Sequence, residues 1–510
     1  MENKLLDNNF KNRILSACLK LYHLQYNNTD KFDNSDVIKK TKKENTGEVL
    51  TPLPLVYEMF TKLPFYIWSR KDFKWLDPVV GDGHFVVVAY FILMETLSDK
   101  DFNFDRKMKS NHIIKNMLYM NDINQDNCDR TQNIFRLIDP TVRIKIMSKD
   151  FLKSSLHDYA NSYFDIIVMN PPYNLDGIKS KGQKNVWVYF TEIAFTLLKP
   201  SGFLVNIHPS SWRINNYQPW GTKVNIHDIY LSKNILYISM YTIWQTYQLM
   251  GVQINIDYLI IHNNSTKIET IDPEKQITQQ NVELENIYGE KCKINLRNNM
   301  VIGNFGHQLI NKLISLCAKY GSLHSILYHT SELHHDLWKK KKIKEGPHPI
   351  IHLMKKKGKT VYMSERAHTH QSTPKIIING FGVKYVYFDK KGEYGTTDTP
   401  FILLTANQNI YNLLCSNLWN FIVNALGILG NNLNERIFFY IPNILNIIRE
   451  SKIKETDILE ESELFRLLDI TENEEAHIKN FTNNNIQNVK MKDRKDYSNI
   501  YFKNDLEIKN

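Results

Sequence analysis

The sequence predicts an α/β protein: a doubly wound, mostly parallel sheet of seven strands, followed by a separate mixed α+β domain. Three observations lead there. Between about residues 46 and 265, short apolar runs of β type alternate with helical runs, the order expected of repeated strand–helix–strand units. Two turn-forming segments, Asp77-Pro78-Val79-Val80-Gly81-Asp82-Gly83 and Asn170-Pro171-Pro172-Tyr173, each follow directly on one of those apolar runs. After His262 the chain turns polar and the alternation stops. With 510 residues, 42% of them hydrophobic, the chain can fill sizeable cores and suits roughly three domains of ~150 residues.

Taken in order, residues 1–45 are polar around one amphipathic stretch, Arg13–Tyr22, and predict a helical lead-in. The strands of the 46–265 domain are expected at Trp75–Leu76, Met117–Met120, Val142–Met147, Asp165–Met169, Phe203–Ile207, Ile235–Met240 and Ile256–Ile261. Helices are expected between them, for example Phe85–Leu97 and Val186–Leu198. The polar run 263–281 reads as a linker. It opens a domain over 266–450 with short strands and one apolar helix near Tyr411–Leu429. Residues 451–510 read as a charged helical tail in which Thr471 and Glu474 form a capping box.

Composition excludes several classes. The longest apolar run, Phe85–Met94, is well short of the ~18 residues a spanning helix needs, so no membrane association is expected. Met1–Arg13 shows no secretory pattern. The five cysteines are scattered and unpaired in sequence, which suits a reducing, cytoplasmic or host-cell interior and argues against a zinc ribbon. Lys and Arg outnumber Asp and Glu by 64 to 54, a net charge of +10, which favours a polyanionic partner.

The first chemical segment, 77–85, lies between an apolar strand and an apolar helix, where a doubly wound sheet binds a nucleotide-like ligand. Gly81 and Gly83 permit a tight turn, but position 86 is Val, so the dinucleotide fingerprint fails. Asp77 and Asp82 would repel a pyrophosphate. A cationic ligand without phosphate fits better, and S-adenosylmethionine is one. In the second segment two prolines fix the backbone and remove two donors. The Asn170 side-chain oxygen and the Pro171 carbonyl are then two acceptors for the hydrogens of a planar amine, and Tyr173 is a flat face to stack on. Gly358-Lys359-Thr360 does not complete a phosphate loop, because position 353 is Leu.

The Asn170-Pro171-Pro172-Tyr173 (NPPY) turn, the Asp77 loop and their spacing resemble the N6-adenine DNA methyltransferases. The order of parts is similar to the gamma class found in type II restriction-modification systems, with Thr51-Pro52 upstream and a different domain downstream. The resemblance implies a Rossmann-like S-adenosylmethionine-dependent methyltransferase domain over 46–265 and a DNA target-recognition domain over 266–450. It implies cofactor contacts from Thr51, Asp77, Pro78, Gly81, Gly83, Asp122, Asp150 and Phe151. Asn170, Pro171, Pro172 and Tyr173 take the catalytic positions. Tyr247 is chosen as the second aromatic on the target base beside Tyr173, with Trp244 as the alternative. Two residues depart from the family pattern: His84 stands where a small polar residue is usual, and Asn121 where glycine is common. Trp212 lies in a segment the family shares and receives no role.

The resemblance implies direct methyl transfer to the exocyclic amine of an adenine flipped out of the duplex, without metal or covalent intermediate. Lys339, Lys340, Lys341, Lys342, Lys355, Lys356, Lys357, Lys359 and Arg366, interleaved with histidines and aromatics, are expected to contact double-stranded DNA through its phosphates. The histidines have irregular spacing and no cysteine partners, so no metal site is expected. A monomer acting on DNA is expected, and a restriction endonuclease, if any, would be encoded separately. The competing readings are a methyltransferase for adenine in RNA or for protein glutamine, and an idle DNA-binding protein on the same fold.

Overall fold

The computed structural model describes residues 4–27, 49–159, 163–174, 185–214, 224–264, 269–272, 277–297, 302–328, 346–355, 358–380, 385–397, 400–427 and 435–482. These fall into two compact units, one through residue 297 and one over 302–482.

In the first unit all seven expected strands form: β1 (Trp75–Asp77), β2 (Leu118–Asp122), β3 (Lys145–Ser148), β4 (Phe164–Met169), β5 (Leu198–Pro209), β6 (Asn234–Tyr241) and β7 (Ile256–His262). They stand in the order β6-β7-β5-β4-β1-β2-β3. Strand β7 is antiparallel to β5 and β6, and the rest of this group is parallel. The chain winds outward from β1 through β2 to β3, then returns to place β4 on the other side of β1. The carboxyl ends of β1 and β4 therefore flank a topological switch point, where such sheets bind ligands. Their loops are the two segments singled out in the sequence.

The sheet is larger than the seven strands expected. Three more strands, β8 (Glu269–Asp272), β9 (Ile277–Glu285) and β10 (Lys291–Arg297), bring it to ten. Strand β9 pairs parallel to β6 and antiparallel to β8 and β10. The stretch read as a linker from 263 thus continues the first unit, and the division falls near 300 rather than 265. The physical reason is the edge of β6, whose backbone groups need a partner. The sequence signal of β9 is short: buried Val282 and Leu284 alternate with exposed Asn281 and Glu283 in an otherwise polar run.

The helices of this unit are α1 (Asn8–Asn27), α2 (Leu53–Thr61), α3 (His84–Thr96), α4 (Arg106–His112), α5 (Gln125–Ile138), α6 (Trp187–Leu197), α7 (Ile226–Leu231) and α8 (Ile243–Met250). Helix α3 is apolar nearly all round, the composition of a helix enclosed on every side. Its Phe85–Ala89 run is fully buried. Part of that enclosure is α1. Phe10, Ile14, Cys18, Leu21 and Tyr22, on one face at helical spacing, join the same core as α3. Helix α1 is therefore part of the first unit's core.

The second unit has a four-stranded sheet, β11-β17-β14-β15, and a three-stranded one, β13-β12-β16. Their ranges are β11 (Leu327–Tyr328), β12 (His348–Lys355), β13 (Gly358–Ser364), β14 (Lys375–Ile378), β15 (Val386–Asp389), β16 (Gly395–Thr396) and β17 (Phe401–Leu403). Its helices are α9 (His307–Tyr320), α10 (Gln408–Cys415), α11 (Asn417–Leu426), α12 (Ile444–Glu450), α13 (Glu461–Leu467) and α14 (Glu472–Thr482). The single apolar helix expected at 411–429 is two helices. Ser416 breaks it by turning its hydroxyl onto the Trp419 amide as an N-cap. The described part of the charged tail belongs to this unit, with Ile478 of α14 fully buried. Its start is capped reciprocally: the Glu474 amide donates to the Thr471 hydroxyl, and the Thr471 amide to the Glu474 carboxylate. Among the described residues, no helix is long and apolar enough to cross a membrane.

Candidate active site

The loop after β1 is held in a single shape by backbone ties. The Val80 amide donates to the Asn121 carbonyl at 2.9 Å, and the Gly81 amide to Asp122 Oδ2 at 2.9 Å. Gly81 and Gly83 have φ of 52° and 82°, left-handed conformations that glycine adopts without a Cβ penalty. A Cβ at Gly83 would also come within 3.2 Å of the Thr131 side chain. Asn121 proves to be a tie between two loops. Its Nδ2 donates to the Pro78 carbonyl after β1 (3.1 Å) and to the Lys149 carbonyl after β3 (2.9 Å), contacts that glycine could not make.

Two carboxylates sit at the floor of this loop. Asp77 is buried; its Oδ1 accepts from the Val79 amide (3.2 Å) and its Oδ2 has no partner. Burial pushes its pKa well above the ordinary 3.8; the Val79 hydrogen bond opposes the shift, and nearby Asp122 adds to it. Asp122 takes the Gly81 amide on one oxygen and the Asn124 amide on the other, at 2.9 Å each. Each oxygen keeps a second lone pair, so hydroxyl donors can still be accepted. Asp82 instead pairs with Arg130 (2.7 Å), and its carbonyl accepts from the Tyr22 hydroxyl of α1 (2.8 Å). Tyr22→Phe is expected to cost about 1 kcal/mol of stability, read as a lower urea midpoint with unchanged slope.

After β3, Asp150 caps a short turn through the Leu152 amide and lies 3.2 Å from Lys153 Nζ. Phe151 is buried and stacks on Phe190 of α6, with ring centroids 5.4 Å apart. A residue the sequence reading passed over stands nearby in the chain: Ile123, next to Asp122, is 71% exposed at the carboxyl end of β2. Only its adjacency to Asp122 could have flagged it.

After β4, the Asn170 amide nitrogen donates to the Val49 carbonyl (2.8 Å) and to the Thr51 hydroxyl (3.0 Å). Its Oδ1 is buried without a partner. Because a carbonyl can only accept, the Val49 contact fixes which end of the amide carries the oxygen. Thr51 is itself buried, so it meets Asn170 directly. Tyr173 is buried in the main core, its hydroxyl unpartnered and its pKa pushed up by burial, so the phenol stays neutral.

Trp212 has a structural explanation. Its Nε1 donates to Asp257 at 2.7 Å, alongside the Ser210 hydroxyl (2.8 Å) and the Arg213 guanidinium (2.9 Å). This fully buried cluster ties the end of β5 to β7. Helix α8 leaves the carboxyl end of β6, the same sheet edge as Asn170. It carries Trp244 and Tyr247, edge to face at 6.2 Å and exposed by 39% and 47%.

Of the basic residues assigned to DNA, Lys339–Lys342, Lys356 and Lys357 lie outside the described residues, as does the Lys355 side chain. Arg366 is exposed. Lys359 Nζ lies over the Tyr387 and Tyr394 rings at 3.6 and 4.2 Å. Lys359→Gln is expected to cost roughly 0.5–1 kcal/mol of stability in the second unit, measured by denaturant titration. Among the described residues, no group of three or more His, Cys, Asp or Glu is arranged to hold a metal ion.

Residues 61–239 match the profile of the Eco57I restriction-modification methylase family. That stretch includes Asp77, Asp122, Asp150 and Asn170, and stops short of Thr51 on one side and Tyr247 on the other. No protein of curated function matches the chain. Solved structures with similarity include the M protein of the type I restriction enzyme EcoKI (14% identity, 46% of this chain and 48% of that one, TM-score 0.33). The type I restriction-modification methyltransferase subunit from Streptococcus thermophilus is alike at 15% identity, 49% and 50% coverage and TM-score 0.32. The type IIL restriction-modification enzyme MmeI in complex with DNA is similar over 88% of this chain and 75% of that one, at 11% identity and TM-score 0.45. The chain spans about half the length of the type I subunits.

Proposed function

We propose that the chain is a site-specific, adenine-N6 DNA methyltransferase using S-adenosylmethionine, the modification enzyme of a restriction-modification system. The observation that carries this reading is the Asn170 amide. Its two hydrogens are spent on Val49 and Thr51, which leaves Oδ1 as a buried acceptor in need of a donor. The exocyclic amine of adenine is such a donor. The match to a methylase family over the segment holding Asn170 supports the same reading.

The residues present fit this cofactor. Asp77 offers an unpartnered carboxylate oxygen at the switch point, and the loop has no lysine to receive phosphate. When bound, S-adenosylmethionine supplies an electrophilic methyl group on a positively charged sulfur. Asp77 would attract its positive charge, Asp122 would accept from its ribose hydroxyls, and Asp150 and Phe151 would hold its adenine. The Thr51 hydroxyl would donate to its carboxylate. Asn170 Oδ1 and the Pro171 carbonyl take the two hydrogens of the target amine and aim its lone pair at the methyl group. Most of the acceleration comes from that alignment. The extra proton leaves to solvent after transfer, and no covalent enzyme adduct is needed. The flipped base lies between Tyr173 and Tyr247, and the basic segment 339–366 holds the duplex.

Incubating the purified chain with methyl-labelled S-adenosylmethionine and duplex DNA, RNA or a protein extract tests this. Label is expected in duplex DNA and, after digestion, in N6-methyladenine. Label in RNA or protein alone would sink the proposal.

A further inference from the structure

His84, the departure from the family pattern in the first loop, reaches out of that loop to Thr51. It is the first residue of α3, directly after left-handed Gly83. Its Nδ1 lies 2.6 Å from the Thr51 carbonyl oxygen. A carbonyl can only accept, so Nδ1 carries the proton and donates. The His84 ring also meets the Tyr22 ring of α1 in a T-shaped contact, at 5.0 Å between centroids and 83°. Thr51 thus has two ties: its carbonyl is held by the β1 loop and its hydroxyl accepts from Asn170 Nδ2 at 3.0 Å. Pro52 follows it, which restricts its backbone to extended conformations.

We infer that His84 is a positioning residue for Asn170, acting through Thr51. By fixing the Thr51 backbone it fixes the hydroxyl that, with the Val49 carbonyl, engages the amide nitrogen and leaves Oδ1 as the free acceptor. The consequence is a physical link between the cofactor loop and the amine-binding amide, running from His84 to Thr51 to Asn170. This inference rests on the proposed methyl transfer for its kinetic consequence, while the positioning itself can be read without activity.

The test is a double-mutant cycle with a structural arm. His84→Ala is expected to lower kcat about tenfold, with KM for DNA unchanged. His84→Asn places an amide nitrogen where Nδ1 stood and should recover kcat to within about threefold of the wild type. If His84 acts through Thr51, then adding His84→Ala to Thr51→Val should cost less than about twofold more. A crystal structure of the His84→Ala protein should show the Asn170–Thr51 hydrogen bond lost. The inference is overturned if His84→Ala multiplies the loss equally in both backgrounds, or if that crystal structure keeps both Asn170 hydrogen bonds. A wild-type protein that transfers no methyl group to DNA would defeat the proposed function, and the crystal structure would still decide the positioning.

Discussion

Asn170→Ala is expected to slow methyl transfer to DNA by roughly 10³-fold, the scale seen when a preorganised polar group at a reacting centre is removed. The amide is held by two donated hydrogen bonds at 2.8 and 3.0 Å, so its oxygen is oriented before substrate arrives. Alanine deletes that acceptor and leaves the Val49 carbonyl and Thr51 hydroxyl without their donor. Of the residues proposed to hold the cofactor, Asp77 and Asp122 lie on β1 and β2 and have other hydrogen-bond partners, while Thr51 only accepts from Asn170 and keeps its own hydroxyl hydrogen for the cofactor. S-adenosylmethionine affinity should therefore stay within about threefold. Single-turnover kinetics with calorimetric titration of the cofactor separates the two quantities. A loss of cofactor affinity as large as the loss of rate would make Asn170 a binding residue instead.

Asp77→Asn is expected to weaken S-adenosylmethionine binding by about 2–3 kcal/mol, the value of a hydrogen bond to a charged group, and to flatten its pH dependence. Burial raises the Asp77 pKa well above 3.8, with Asp122 adding to the effect against the Val79 hydrogen bond. For a carboxyl raised in this way, the contribution to folding stability is full below its unfolded value and lost as pH rises through its folded value. The free protein should thus lose stability over that window, and the Asn variant should not. A cationic ligand reverses the preference, because it favours the ionised carboxyl. Cofactor affinity should rise with pH across the same window, with a proton released on binding. Calorimetry in two buffers of different ionisation enthalpy measures that proton. Unchanged affinity and unchanged proton release in the variant would remove Asp77 from the site.

The parts of the fold that the sequence showed are those where one short stretch contains its own reason. Strands β1, β2 and β4 to β7 are runs largely buried in the sheet, β3 is half-exposed at its edge, and the two turns after β1 and β4 carry residues whose backbone restrictions are local. The missed parts depend on partners far away in the chain. Strand β9 is mostly polar, with Ile277, Val282 and Leu284 its apolar residues, and it is a strand because the edge of β6 needs pairing. The amphipathic face of α1 was legible, but not that it closes over α3 and hands Tyr22 to the Asp82 carbonyl. Asn121 and His84 looked like harmless departures from a pattern. Only the folded chain brings them to the carbonyls of Pro78, Lys149 and Thr51. That Asn170 offers an acceptor is expected from the turn alone, whereas the two groups that consume its hydrogens lie about 120 residues upstream.

We propose that Asn170 directs methyl transfer to adenine N6 in duplex DNA. Methylation-sensitive sequencing of DNA from cells expressing the wild-type chain or Asn170→Ala tests it most directly. The expected result is N6-methyladenine at one recurring sequence in the first sample and none there in the second. Methylated cytosine, or the same adenine signal from both proteins, would contradict it.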